Sequence, residues 1–418
     1  MHVSAVIVGA GHAGLAMSER LTARSIDHVV LERGEVANAW RHDRWDSLRL
    51  LTPNWHAHLP GAPVHADPDG FMTAGETAAM ITRYAGTIAA PVVDGTTVAR
   101  IGARGDGYTV ETDHGTWNCD AVVLATGGNA VANVPPIAAA LPGGVASMSA
   151  GAYRNPGSLP PGGVLVVGAS ATGVQLADEL AGAGRQVTLA VGEHVRMPRS
   201  YRGRDVFWWI ELAGIHHQRY DDLDRGGDLV RARHVPSPQL IGTPERRPID
   251  LNSLRAAGIG VVGRLGRFRD GIAQFSGSLN NVCALADLKA NRLLGLFDEV
   301  AATVGVDDIG PPERLEPTVV AASPTTEIDL AGAGITSVLW ATGFGADHRY
   351  VDLPVFDHHG RIVHDGGVVA PGLYVVGLNV LRRRGSSFIG GAAADTAELA
   401  GELHDHLGRR LALAGRGC

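Results

Sequence analysis

The apolar and polar positions of this chain change period in a fixed order, and that order repeats. Residues 3–8 are apolar except for Ser4, as expected for a strand buried on both faces of a parallel sheet. A glycine-bearing turn follows, and residues 14–23 then carry the 3.6-residue period of a helix. A second buried run, 28–31, ends at Glu32. The same strand–turn–helix returns at Val164 as VLVVGASATGVQLADEL, with its own second strand over 186–191. Between the two units, 77–89 reads as a helix, and short runs at 98–102, 108–112 and 116–119 predict an antiparallel meander. A buried strand at 121–124 closes with ATGG. A Pro/Gly-rich stretch, 134–163, predicts a crossing between domains. Beyond the second unit, 197–316 is mixed, with a loop-like 221–248 and a helix over 285–304. ITSVLWATGF from Ile335 repeats the pattern at Ala121, PGLYVVGL from Pro371 is a last buried strand, and a helix closes the chain from about Gly390.

The first turn, Gly9-Ala10-Gly11-His12-Ala13-Gly14, fits G-x-G-x-x-G. The first glycine permits a tight turn, the second lets pyrophosphate approach the backbone, and the third lets helix pack on strand. The helix N-terminus then offers free N–H groups and a partial positive charge. Glu32, about twenty residues on, stands where a ribose hydroxyl needs an acceptor. The second turn, Gly168-Ala169-Ser170-Ala171-Thr172-Gly173, has Ser170 in the middle-glycine position, and no carboxylate ends its second strand. Arg196 and Arg199 follow instead, which favours a 2′-phosphate and therefore NADPH over NADH. Two such turns predict two dinucleotides, a resident flavin and a mobile nicotinamide, since hydride passes from the second to the first. The fold class expected is α/β, with two Rossmann-like domains in the manner of glutathione reductase. Residues 1–155 and 325–418 form the FAD domain and 156–324 the inserted NAD(P)H domain.

Composition narrows the reading. A 418-residue chain suits two or three domains, and a net charge of −7 offers no general surface for nucleic acid or anionic membrane. No apolar run reaches the roughly twenty residues that span a bilayer, and the first residues enter a strand without a signal-peptide pattern. A cytoplasmic protein is expected. Cys119, Cys283 and Cys418 lie far apart without a C-x-x-C, which argues against a dithiol redox centre.

With these motifs in view, the chain resembles the class B flavin-dependent monooxygenases, the group that includes the plant YUCCA enzymes. The likeness rests on VIVGAGHAGLA, the block LERGEVANAWRHDRWDSLRLLTPNWHAHLPG, the second turn, VLWATGFGAD and PGLYVVGLNVLRRRGSSFIGG. It implies FAD held by Gly9, Gly11, His12, Ala13, Gly14, Glu32 and Arg33, with Trp40, Arg41, Leu51, Thr52, Ala125, Thr126, Gly127, Gly377, Ser387 and Phe388 along it. It implies NADPH at Gly168, Ser170, Thr172, Gly173, Arg196 and Arg199, with Thr342 and Gly343 at the second ATG turn. Asn54 and His56 are the candidate catalytic residues, and His12 and His58 are further candidate proton carriers. The last helix is expected to aim its N-terminus at the flavin pyrimidine edge. Oxygen transfer from O2 to a small organic substrate is the implied activity, by way of a flavin C4a-hydroperoxide. The partners are that substrate and O2, with no nucleic acid or membrane, and a homodimer is admitted. One departure counts against nicotinamide use. The group's F-x-G-x-x-x-H-x-x-x-[FY] signature is blurred to VASMSAGAYRNP, with Ser149 in place of histidine and Tyr153 as the final aromatic. The alternative is an FAD-dependent oxidase or dehydrogenase with a degenerate nicotinamide site.

Overall fold

In a computed structural model of the chain, which describes residues 1–63 and 65–414, the apolar runs assemble into two main sheets. The first sheet has His2–Val8 at its centre. It is flanked by His28–Leu31 on one side and Gly115–Leu124 on the other, all parallel, with Val6 opposite both Val29 and Val122. Leu373–Val375 extends it beyond Gly115–Leu124. Residues 5–7 and 121–124 are fully buried, which explains why these strands read as unbroken apolar runs. The runs at 116–119 and 121–124 prove to be one ten-residue strand. Its first half pairs antiparallel with Gly107–Thr112 and its second half parallel with Leu373–Val375, so the burial pattern changes midway while the backbone continues.

The second sheet is parallel throughout, in the order Gly260–Val262, Val187–Ala190, Gly163–Val167, Ile335–Trp340, Ala146–Ser149. This corrects the expected boundaries, because 146–149 and 335–340 were placed in the first domain and both pair here. The Pro/Gly-rich crossing contributes an edge strand, and the Trp340 indole donates to Ser147 Oγ at 2.9 Å. An apolar run reports that a strand is buried, not in which sheet. The expected loop over 221–248 contains the helices Tyr220–Arg225 and Leu229–Arg233, and the long helix starts at Leu279 rather than 285.

A third apolar cluster joins the helix Val206–Leu212 to that long helix, where Trp209 stacks on Phe297 at 5.7 Å between ring centres. Trp209 and Phe207 are core residues, and their hydrophobic area is used there. Trp40 is half-buried and packs against the cores of both sheets. Cys119 and Cys283 are buried and unpaired, and burial pushes the Cys119 thiol up to about 12. Cys418 lies outside the described residues. No helix among them is long and apolar enough to cross a membrane.

Each strand–turn–helix is closed by contacts that leave no room for a side chain. Gly9 has φ +108°, and a Cβ there would lie 2.7 Å from the Ala125 carbonyl oxygen; one on Gly14 would lie 2.0 Å from the Gly9 oxygen. The second unit repeats this: Gly168 has φ +109°, and a Cβ there would lie 2.4 Å from the Ala341 carbonyl oxygen; one on Gly173 would lie 1.8 Å from the Gly168 oxygen. We expect Gly14→Ala to lower stability by about 1–3 kcal/mol, because the obstructing atom is backbone. A urea titration of the purified variant that matched wild type would refute this.

Candidate dinucleotide and reaction site

Gly11 caps the first helix in extended conformation, without a side-chain cap, and the space where its Cβ would stand is open to 4 Å. The N–H groups of His12 and Ala13 find no acceptor among the described residues. An open glycine facing free helix-terminal N–H groups is the cradle a pyrophosphate requires. The Glu32 carboxylate is buried and accepts from the Ala10 N–H at 2.8 Å and the Gly34 N–H at 3.1 Å. It therefore braces the turn. Ala13 lies under Gly377, whose φ is +76° and whose Cβ would touch it at 3.0 Å. Gly127, at φ +77°, also faces open space, and Thr126 Oγ1 bonds the Tyr350 hydroxyl at 3.0 Å. These residues fit a bound flavin dinucleotide. Arg33 and Arg41 are exposed instead, Arg33 3.6 Å from Asp43 and Arg41 3.2 Å from Glu35.

The second turn has the same backbone. Ser170 caps its helix at φ −81°, ψ −176°, against −80° and −179° at Gly11, with Thr172 half-buried in the first turn. Two details differ. Val191, wholly buried, occupies the place of Glu32. The Ser237 carbonyl also takes the Ala171 N–H at 3.4 Å, and Gln239 donates to the Ala169 carbonyl at 2.8 Å, so a loop lies against this turn. Thr342 Oγ1 donates to the Asn133 carbonyl beside Gly343, whose φ is +87°.

Both arginines expected to take a 2′-phosphate are otherwise engaged. Arg196 is 5% exposed and bonds Asp250 at 2.7 Å, Asp287 at 2.7 Å and the Glu316 carbonyl at 2.6 Å. Arg199 is 2% exposed, pairs with Asp205 at 2.7 Å, donates to the Leu51 carbonyl at 2.7 Å and lies over the Phe71 ring. Freeing Arg199 would strand the buried Asp205 carboxylate, which costs several kcal/mol, and freeing Arg196 would leave the half-buried Asp250 and Asp287 without their cation. Arg264 is a cation the sequence reading passed over. It is exposed, with no side-chain partner among the described residues, and its Cδ lies 3.9 Å from where a Gly192 Cβ would stand, just past the second strand. The run Arg382-Arg383-Arg384 is largely spent as well, with Arg382 and Arg383 paired to Glu398, Glu402 and Asp395.

Asn54 also departs from expectation. It is buried, its Nδ2 donates to the Asp67 carbonyl at 2.9 Å, and its Oδ1 accepts the Met72 N–H at 2.9 Å. Its amide therefore pins the 65–72 loop and is not free for a flavin or a nicotinamide. Thr52 is buried beside it, Ser387 is exposed, and His58 is exposed near Gly390. His56 is buried in a cluster with Glu211 and His216, walled by Phe207 and Phe388. Contacts with His216 and then His56 hold Glu211 well below the usual carboxylate range, and burial lowers His216. The glycine-rich approach to the last helix closes on this cluster: a Cβ on Gly390 would strike the His56 carbonyl at 2.2 Å, and one on Gly385 the His216 Cβ at 3.1 Å. Glu211 and His216 escaped the sequence reading because no local pattern connects them to His56. Trp55, Trp208, Leu212, Asp69 and Glu211 line an adjoining cleft of about 400 Å3.

Comparison with known proteins agrees with this geometry. Residues 6–210 match the model of the pyridine nucleotide-disulphide oxidoreductases. The uncharacterized oxidoreductase CzcO-like of Geobacillus kaustophilus is 29% identical over 97% of this chain and 99% of its own length. The indole-3-pyruvate monooxygenase YUCCA1 of Oryza sativa subsp. japonica is 29% identical over 60% of this chain and 63% of its own. The solved flavin-containing monooxygenase of Stenotrophomonas maltophilia has the same fold, with a TM-score of 0.68, 18% identity, and 97% and 99% of the two chains covered. The chain is similar to the flavoproteins of the class B, flavin-monooxygenase-like group. It is a flavin-dependent oxidoreductase.

Two outcomes follow from the first turn. Gly11→Ala should fold with wild-type stability in flavin-free form, because its Cβ enters open space, yet retain less flavin on gel filtration. His12 Nε2 is shielded and unpartnered, and burial pushes the imidazole down to about 4 from 6.5. The unfolded chain takes this proton near 6.5 and the folded chain only near 4, so flavin-free protein should lose stability as pH falls through that window. His12→Gln should flatten the fall in urea midpoint.

Proposed function

We propose that the chain is an NADPH-using, FAD-dependent monooxygenase that places one oxygen atom of O2 on a small organic substrate. The observation that carries this is the duplication of the glycine turn at 9–14 and 168–173, each closed on an alanine carbonyl, at Ala125 and Ala341. One turn suits a resident dinucleotide and the other a visiting one. The flavin supplies the hydride-accepting and oxygen-activating chemistry. The chain holds its phosphates on the first helix and braces the ribose end with Glu32. Phe207 and Phe388 wall the His56 cluster and would keep water from that side of the site, limiting unproductive decay. Glycines 127, 343 and 377 let the backbone approach the cofactors. Arg264, not Arg196 or Arg199, is our candidate for the 2′-phosphate, since it is the free guanidinium beyond the second strand. The relatives named monooxygenases support this reading, as does the fold.

A second reading is favoured by the loop against the second turn. If the Ser237 carbonyl stays on the Ala171 N–H, the nicotinamide site is closed and the protein is an oxidase or dehydrogenase. Anaerobic mixing with NADPH separates the two. Rapid bleaching of the flavin is expected, and a flavin that stays oxidised would overturn our proposal in favour of the second reading. Arg264→Ala should raise KM for NADPH by roughly tenfold or more, the worth of a charge-assisted hydrogen bond of about 1.5–3 kcal/mol, while leaving NADH unaffected.

A further inference from the structure

His56 Nε2, His216 Nδ1 and Glu211 Oε1 form a closed triangle, with edges of 3.0 Å between the imidazoles, 2.8 Å from His216 to Glu211 and 3.2 Å from His56 to Glu211. Protons alone do not satisfy it. If both imidazoles donate to the carboxylate, two N–H groups face each other across 3.0 Å. If either nitrogen is bare, its lone pair meets the carboxylate oxygen or the other ring without a proton between them. With the carboxylate ionised, one edge is repulsive in every tautomer. The two histidine side chains are buried, 8% and 10% exposed, so water does not relieve the conflict on their side, while Glu211 reaches the cleft at 27%.

A cation removes the conflict, because all three atoms then offer it lone pairs. We propose that His56, His216 and Glu211 hold a divalent transition metal of the zinc class. Two imidazoles and a carboxylate are a recurrent donor set for such ions, with an open position left for water or substrate. Metal–ligand bonds of about 2.0–2.1 Å at tetrahedral angles space the donors by about 3.3 Å, so the triangle has only to open by a few tenths of an ångström. An outer partner is present: His217 Nε2 lies 2.9 Å from Glu211 Oε2 and orients the carboxylate. Glu211 also lines the cleft with Trp55 and Trp208, which supplies an entry path. His56 Nδ1 is buried without a partner whether a metal or a proton fills the triangle, so it favours neither. The bound ion would tie the 54–56 turn to the helix Val206–Leu212 and to Ile215–His217, stiffening one wall of the reaction cleft.

The proposal does not rest on the monooxygenase reading, and its test needs no turnover. Flavin-loaded protein stripped by a chelator and titrated with Co2+ alone should bind a single ion per chain, with visible ligand-field bands of a four-coordinate N/O site. Glu211→Gln and His216→Ala should abolish those bands while the flavin spectrum persists. His217→Ala should weaken Co2+ binding by about 10–100-fold, and it decides the matter should the ligand variants lose flavin or fail to fold. Wild-type protein that shows no saturable bands overturns the proposal, as does a His217→Ala protein that binds Co2+ with wild-type affinity.

Discussion

The contact between a strand-end carbonyl and a glycine with no side chain organises this molecule. The Ala125 oxygen occupies the space a side chain at Gly9 would need, and the Ala341 oxygen does the same at Gly168. Because these are backbone atoms packed on backbone, each turn is held by the sheet beneath it. The helix that follows is thereby fixed with its N-terminus at the sheet edge. At Gly11 helix N–H groups without partners among the described residues then face open space, whereas after Ser170 the Ala171 N–H is taken by the Ser237 carbonyl. In our proposal, phosphate binding is thus a consequence of the packing of strands.

The two copies differ where they have different work. Glu32 closes the first turn with two buried hydrogen bonds, whereas Val191 makes the matching position of the second purely apolar. A ring of carboxylates and carbonyls consumes Arg196 and Arg199, which leaves Arg264 at the adjacent strand edge as our candidate for a 2′-phosphate contact. Arg199 also donates across to the Leu51 carbonyl and so helps to fix the unit against the N-terminal loop. Tyr153, buried with its hydroxyl on Glu179 at 3.1 Å, shows that the blurred signature at 145–156 packs against the second unit. The absent histidine at Ser149 falls at the end of an edge strand, where pairing with Trp340 is the structural requirement.

Much of this was legible in the residues. Buried parallel strands announce themselves as apolar runs, and a glycine at a fixed offset between strand and helix is required by sterics that operate over a few residues. Both turns, both ATG closures and the lack of a dithiol were therefore readable. The errors lay where two partners compete for one segment. The strand Gly115–Leu124 serves an antiparallel neighbour and then a parallel one, and Ile335–Trp340 joins the second sheet, because apolarity encodes burial without naming the neighbour.

Side-chain roles divide in the same way. The sequence alone determined the two glycine turns, since local spacing and the need for positive φ are properties of neighbouring residues. Only the tertiary structure decided the fate of the arginines and histidines. Arg196 meets Asp287, 91 positions away, and His56 meets Glu211 and His216 at separations of 155 and 160. A charge or an imidazole is committed by whichever partner the fold returns to it, and nothing in its own neighbourhood along the chain records that meeting.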